Sequence, residues 1–265
     1  MPFIELQSVD STNNYARGQL HAGLAQPGMA IFAHEQIAGK GQRGKLWKTE
    51  KGANIILSLV VNPTPLLLTQ QFQLSVCVAA SVHEFFSKYA GDDTKIKWPN
   101  DLCWQDRKAG GILIESVVHS RQAEVRSREP GVGSDVGASA GWTSIVGIGI
   151  NINQTSFDPG IKNPVSLKQI TGKNFEPVEL SKELCRVFNK WFIEFNQHGF
   201  EPVYTYYLSH LYKRNEIVRL KKDNRVFETM IEGVSTAGQL ITKQPNTENS
   251  MVTAFDFGEV EWVIK

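Results

Sequence analysis

The chain has 265 residues, with 28 lysines and arginines against 27 aspartates and glutamates, a net charge of +1. A balance so close to neutral excludes a global field that recruits nucleic acid or membrane, so positive charge here acts locally. The 41% hydrophobic content is ordinary for a globular chain that buries a core, and the length admits one large domain, or one domain and a smaller one.

Cys77, Cys103 and Cys185 are far apart. They form no CxxC pair and no metal spacing, and suggest no disulfide framework. The start, Met1-Pro2-Phe3-Ile4-Glu5, lacks the basic-then-apolar layout of a secretion signal. No apolar stretch approaches the ~20 residues that span a bilayer. A cytoplasmic protein is expected.

In chain order, Ile4 to Leu6 reads as a strand, followed by Asp10-Ser11-Thr12-Asn13 and a helix-like Tyr15 to Leu20. Ser11 or Thr12 suits a helix N-cap. Met29 to Ala33 is a short apolar run, and Ile55 to Val61 is strand-like. Leu68, Phe72, Val76, Ala79, Val82 and Phe86 recur at helical spacing, which predicts a core-packed helix over 67–89. Lys95 to Trp98 reads as a strand that stops at Pro99. Leu102 to Trp104 and Gly111 to Glu115 read as strands joined by the turn Gln105-Asp106-Arg107-Lys108, and Ser144 to Ile152 as another strand. Leu180, Leu184, Val187, Phe188, Trp191, Phe192 and Phe195 form a second helical stripe, with Gly199 and Pro202 at its end. A third helix is expected over roughly 202–213. Ile217 to Leu220, Val226 to Val234, Leu240 to Thr242 and Val260 to Ile264 are then short strands separated by turn residues. They indicate a small all-β unit, 214–265, after a larger mixed unit, 1–213. The Gly/Ser/Ala-rich segment near 120–141 reads as a long mobile insertion between two strands.

The most informative segment runs from Gln36 to Lys48: Gln-Ile-Ala-Gly-Lys-Gly-Gln-Arg-Gly-Lys-Leu-Trp-Lys. Gly39, Gly41 and Gly44 allow close backbone approach. Lys40, Arg43, Lys45 and Lys48 add cations, and Trp47 offers a flat apolar face. Amides, cations and an aromatic in one loop suit a nucleotide with phosphates. An exposed, solvated basic loop is the competing reading. Gly39 to Gly44 also matches G-x-G-x-x-G, but no helix opens within it and no acid follows about twenty residues on, so a dinucleotide fold is rejected. A kinase glycine loop fails because no Val-Ala-Ile-Lys, His-Arg-Asp or Asp-Phe-Gly follows.

Three further groups bear on chemistry. Asn100 and Asp101 follow Pro99 at a strand end; they suit Mg²⁺, phosphate-linked water or an incoming amine, or form an ordinary turn. Lys108, just before Gly110 and Gly111, can touch an anionic group without crowding, or remain a solvated hairpin lysine. Gly147 and Gly149 alternate along a strand, which lets something pack close to one sheet face. Asn151 reads a base or caps the strand.

These segments occur in one order: Asp-Ser-Thr-Asn, Gln-x-x-Gly-Lys-Gly-Gln-x-Gly-x-x-Trp, Lys-Trp-Pro-Asn-Asp, Lys-Ala-Gly-Gly-Ile-Leu-Ile-Glu and Gly-Ile-Gly-Ile-Asn. The succession resembles the biotin–protein ligases, in a form without an N-terminal DNA-binding domain, and covers essentially the whole chain. The resemblance implies an α+β fold, a mixed sheet flanked by helices akin to class II aminoacyl-tRNA synthetases, with a C-terminal SH3-like barrel. It implies that biotin is joined to ATP with Mg²⁺, and that biotinyl-AMP is held until a lysine of a biotin carboxyl carrier domain attacks it. Ser11, Thr12, Asn13 and Gln36 then fall at biotin-head positions, with Lys40, Gly41 and Gln42 in the closing loop and Lys108, Gly110 and Gly111 beside the activated carboxyl. Gly39, Lys40, Arg43, Gly44, Trp47, Asn100 and Asn151 fall on the ATP side. Lys108, Lys40, Asp101 and Asn100 carry the chemistry. No metal ligand set is assigned, no nucleic acid or membrane partner is expected, and a homodimer is left open.

The physical reading agrees. Bringing a carboxylate to ATP requires fixed cations, and a reactive anhydride requires shielding from water. The usual loop of the family is Gly-Arg-Gly-Arg-x-Gly-Arg, whereas Lys40, Gln42 and Lys45 replace three arginines here. Lysine loses the bidentate fork and Gln42 loses the charge, so looser retention of the adenylate is expected, with Arg43 as the compensating cation. Three rival functions are a lipoate or octanoate protein ligase on a related scaffold, a non-enzymatic biotin or nucleotide binder, and a nucleic-acid binder using the basic loop, in which only one aromatic is interleaved. Lys108 to Glu115 fits the biotin ligases better than the Lys-Ile-Ser-Gly-Ser-Ala-like stretch of the lipoyl enzymes.

Overall fold

The computed structural model describes residues 1–118, 141–244 and 251–263. The expected insertion near 120–141 lies outside the described residues, apart from Gly141, as does the end of the last expected strand.

Seven strands form a mixed sheet in the order β1 (Phe3–Leu6), β2 (Ala30–Ala33), β3 (Ile55–Val61), β7 (Trp142–Ile150), β6 (Arg107–Val118), β5 (Asp101–Trp104) and β4 (Thr94–Lys97). The β1–β2 pair is parallel and every other pair is antiparallel. Alternation along the strands sorts two apolar layers. Ile55, Leu57, Leu59 and Val61 join one core with Val76, Phe86, Leu184 and Phe188, from α2 (Gln71–Ala90) and α4 (Pro177–His198). Ile31, Val60 and Ile145 pack instead with Ala16 of α1 (Thr12–His21) on the opposite face. α2 and α4 end at Gly91 and Gly199, both at positive φ, where glycine carries no side-chain penalty.

α5 (Phe200–Ser209) ends earlier than the expected 213, and 210–212 leave the helix to cover the sheet edge, with Ile96 N donating to His210 O and Tyr212 N to Ile96 O. That edge contact is a tertiary event with no local signal. Beyond it, β8 (Ile217–Lys222), β9 (Arg225–Val234), β10 (Leu240–Lys243), β11 (Val252–Phe255) and β12 (Glu261–Trp262) form an antiparallel sheet in the order β11-β10-β9-β8-β12. Its inner residues Leu220, Ile231, Val234 and Leu240 are continuous with the main core. Trp98 ties the two sheets together: its Nε1 donates to Gly238 O at 2.9 Å, and Trp262 Nε1 donates to Trp98 O at 3.2 Å. β11 and the one-turn α3 (Leu167–Thr171) were not expected; both are too short for periodicity to register. The three cysteines are free and buried, and no helix of the described residues is long and apolar enough to cross a membrane.

His83 of α2 makes the core sensitive to acid. Its Nε2 donates to Thr94 O at 3.0 Å, so Nδ1 accepts from Tyr206 Oη at 2.9 Å, which defines a neutral tautomer. Burial, with the neighbouring His210 ring, lowers its pKa from 6.5 to about 4. The unfolded chain therefore binds the extra proton between pH 6.5 and about 4. Stability is complete above that window and declines through it as pH falls, by roughly 3 kcal/mol. Urea midpoints from pH 7 to pH 4 should show the decline, and His83→Gln should flatten it. Equal slopes in both proteins would exclude His83 as the cause.

Candidate active site

One face of the seven-stranded sheet forms the floor of a cavity of about 1320 Å³. Directly paired residues of neighbouring strands project to the same face. One such row runs Lys97, Asp101, Gly111, Gly149, Ile56 across five strands. The next runs Leu113, Gly147, Ser58. The two β7 glycines are the room that their alternation forecast. A Cβ on Gly149 would lie 2.5 Å from the Trp47 ring, and one on Gly147 would lie 2.6 Å from Asn13 Oδ1. An indole and an amide therefore lie on the sheet where side chains would otherwise stand.

Lys108 reaches this floor by an irregularity. β6 holds one residue more than β5 between the pairs Leu102–Gly110 and Cys103–Lys108. This bulge at Ala109 turns Lys108 to the face of Gly111, which strict alternation would deny it. Its Nζ lies 2.5 Å from Asp101 Oδ1 and 5.8 Å from the centroid of the Trp47 ring. Lys108 is thus a strand residue and not part of the turn, which is only Gln105 and Asp106. Neighbouring Cys103 is buried, which pushes its thiol pKa up to about 12 and makes it a poor nucleophile. Lys97 also lines the cavity, against the rings of Tyr212 and Trp262, and burial lowers its pKa.

The start of α1 supplies a polar recess. Ser11 occupies the N-cap position but its side chain makes no capping bond; the hydroxyl is left for the cavity that it lines. Gln36 Oε1 accepts from Thr12 N at 2.8 Å. Asn13 is buried, with Ser58 Oγ 2.6 Å from its Oδ1 and its Nδ2 donating to Glu115 Oε2 at 2.7 Å. Arg17 holds the other Glu115 oxygen at 2.5 Å. Burial alone would raise the Glu115 pKa, but these two hydrogen bonds and the charges of Arg17 and Lys40 outweigh it and hold it below the usual glutamate range.

The glycine-rich loop closes one side. Trp47 N donates to Gly39 O and Gly41 N to Lys45 O, so the loop pairs with itself. A Cβ on Gly39 would meet Trp47 O at 2.3 Å; this glycine serves the loop's own closure. Gly44, at φ +73, serves the turn. Neither lines the cavity, nor does Gly110, whose Cβ would strike Gly149 O at 2.8 Å and which serves strand packing. Lys40 donates to Asn14 Oδ1 at 2.6 Å. Arg43, expected to compensate for Gln42, stays on the cavity wall but is engaged by the C-terminal unit: its guanidinium lies 4.8 Å from the Phe257 ring and donates to the Phe257 and Gly258 carbonyls at 3.4 Å.

Asn100 Nδ2 donates to Ile112 O, and Asn151 Nδ2 to Val165 O at 3.1 Å. Asn151 therefore caps a strand end, as its plainer reading had it, and Asn100 ties its strand end to β6 rather than forming only a turn; both still line the cavity with Lys40, Gly41, Gln42, Arg43 and Trp47. The sequence reading missed Ser58 and Glu115. Ser58 had a signal, a lone hydroxyl in the apolar run 55–61; Glu115 closed a recognised motif but had no assigned role. Trp47 Nε1 is buried without a hydrogen-bond partner among the described residues. The site thus joins a recess of amides and hydroxyls to a wall of cations and an indole, an arrangement that can seat a small polar head group at one end and gather anions at the other.

A family model described as the biotin/lipoate A/B protein ligase family matches residues 5–127. The biotin--[acetyl-CoA-carboxylase] ligase of Paracoccus denitrificans is 30% identical over 246 residues, covering 91% of this chain and 93% of that one. The bifunctional ligase/repressor BirA of Bacillus spizizenii is 29% identical over 239 residues, 89% of this chain and 67% of its own length. Among solved structures, the biotin protein ligase of Aquifex aeolicus in complex with biotin and ATP superposes with a TM-score of 0.74 at 25% identity, covering 98% of this chain and 97% of that one.

Proposed function

The chain belongs to the biotin–protein ligases, and on that premise we propose that its cavity condenses biotin with ATP and then passes the biotinyl group to a lysine of a carboxyl carrier domain. In the first step a biotin carboxylate oxygen bonds to the α-phosphorus while the bond to the bridging oxygen breaks and pyrophosphate leaves. In the second, the carrier amine attacks the anhydride carbonyl, AMP departs, and the amine loses a proton. The observation that carries the reading is Lys108, held by Asp101 on the sheet floor between the recess of Ser11, Thr12, Asn13 and Gln36 and the loop of Gly39 to Trp47. An ammonium there screens the carboxylate from the phosphate it attacks. Residues 1–213 form the catalytic unit in this reading, and the 214–265 unit contributes Phe257, Gly258 and Trp262 to the cavity wall.

Among the described residues no cluster of three metal-ligating side chains occurs. Asp101 is the carboxylate beside Lys108, and Asp106 and Glu261 stand elsewhere on the cavity lining. So sparse a set fits Mg²⁺, which keeps waters and rides on substrate phosphates with one or two carboxylates. Asp101 would meet it there, and the ion would add positive charge at the phosphates.

Pyrophosphate release by the purified chain with ATP and Mg²⁺, offered biotin, lipoate or octanoate separately, tests the reading. Release with biotin alone supports it. Release with lipoate or octanoate instead moves the chain to the lipoyl ligases, and silence with all three leaves a binding module. Gln42 lines the cavity with no side-chain hydrogen bond among the described residues. Restoring the charge with Gln42→Arg should slow dissociation of biotinyl-AMP by roughly tenfold, the scale of one surface-accessible charge-assisted hydrogen bond. An unchanged rate would mean that position 42 does not touch the adenylate.

A further inference from the structure

Thr12, Ser58 and Asn13 form a chain of contacts whose hydrogens can be counted. Ser58 Oγ lies 2.7 Å from Thr12 Oγ1 and 2.6 Å from Asn13 Oδ1, and Thr12 Oγ1 lies 3.1 Å from Gln36 Oε1. Thr12 and Ser58 are buried, and each hydroxyl has one hydrogen. Two hydrogens therefore serve three contacts. The far end decides their order. Glu115 is ionised and only accepts, so Asn13 must turn its NH₂ to it and its oxygen to Ser58. Ser58 then donates to Asn13, and Thr12 donates to Ser58 across the short 2.7 Å contact. The longer contact between Thr12 Oγ1 and Gln36 Oε1 is left without a hydrogen. Gln36 cannot supply one, because its oxygen is fixed there by the Thr12 amide at 2.8 Å.

We infer that Glu115 is a positioning residue: its charge leaves the recess one hydrogen short, so that Thr12 and Gln36 present paired acceptors for an N–H of the bound head group. This rests on the functional reading above, in which that group is the ureido ring of biotin, with two N–H donors and one carbonyl. Arg17 makes the device switchable by a single atom. It can only donate, so in Glu115→Gln it holds the amide oxygen and turns the new NH₂ toward Asn13. Asn13 must then flip, and each hydrogen bond reverses: the new amide donates to Asn13, Asn13 to Ser58, Ser58 to Thr12, and Thr12 to Gln36. The reversed chain satisfies every contact of the relay and gives up only the long 3.5 Å contact from Asn13 Nδ2 to Leu113 O, so the variant folds, but no contact remains for the ligand N–H.

The test is steady-state pyrophosphate release with biotin as the varied substrate. Glu115→Gln should raise KM for biotin roughly 10- to 100-fold, the scale of one buried donor left unmatched. The kcat and the KM for ATP should stay within about threefold, and the thermal midpoint should stay near that of the parent. Asn13→Asp added to Glu115→Gln restores the original direction, because a carboxylate at position 13 accepts both from Ser58 and from the amide at position 115. The double variant should recover to within about threefold of the parent, whereas a merely structural role predicts accumulated damage. Ser58→Ala removes the relay, frees the Thr12 hydrogen for Gln36, and should raise the biotin KM on the same scale. An unchanged biotin KM in both Glu115→Gln and Ser58→Ala, or a double variant no better than Glu115→Gln, overturns the inference while the functional reading stands. Absence of biotin-dependent release in the parent chain overturns both.

Discussion

Replacing Lys108 with alanine should slow biotin-dependent pyrophosphate release by roughly 10²–10³-fold, the scale of losing one pre-organised charge-stabilising donor. Two effects add. The ammonium that screens carboxylate from phosphate is lost, and Asp101, 2.5 Å from it, is left as an unpaired negative charge among anionic substrates. The side chain is about one-third exposed, at 34%, so its removal opens space in the cavity and leaves the core intact. The thermal midpoint should therefore shift little while the rate falls. Lys108→Arg keeps the charge but sets a planar fork in place of a point donor, and should lie between the two. A near-parental rate for Lys108→Ala would remove Lys108 from the site.

The second large effect is expected at a residue with no functional atoms. Gly149→Ala would place a Cβ 2.5–2.7 Å from atoms of the Trp47 ring, closer than carbon atoms approach. The strand cannot yield, because Gly149 is paired on both sides, with Ile56 and with Gly111. The indole must lift, and with it the loop end, since Trp47 N is bonded to Gly39 O. Misplacing this wall of the cavity by about 1 Å should cost on the order of 10²-fold in kcat/KM. Trp47→Ala should remove the conflict, so that Gly149→Ala added to it has little further effect. Additive losses in that cycle would show that Gly149 acts by some route other than the ring. Gly110→Ala is the contrasting case. Its Cβ would meet a backbone oxygen, Gly149 O, and it should lower the melting temperature as well as activity.

Helices α2 and α4 were legible because their apolar residues recur at 3.6-residue spacing over many turns. β3 was legible because Ile55 to Val61 is almost wholly apolar, as a strand covered on both faces must be. The small alternating residues of 147–149 announced a close approach to one sheet face, and only the identity of the approaching groups, Asn13 and Trp47, was missing. The ordered motifs placed the chain in its family, since that signal is a property of residue order alone. The loop glycines were only half legible. Composition says that Gly39 and Gly44 permit unusual backbone; it does not say whether the beneficiary is a ligand or the loop itself, and here it is the loop.

Residue order was enough for the layers, the family and the inventory of polar and cationic groups, because periodicity, turn residues and motif order are local. How those groups are aimed follows from long-range pairing. A one-residue bulge at Ala109 swings Lys108 onto the floor beside Asp101, and cross-strand pairing decides that register. Arg43 reaches Phe257 and Gly258 from the far end of the chain. Glu115, Asn13, Ser58 and Thr12 come from β6, α1 and β3. The direction of their hydrogen bonds is a property of the assembled chain, set at its far end by one carboxylate that can only accept.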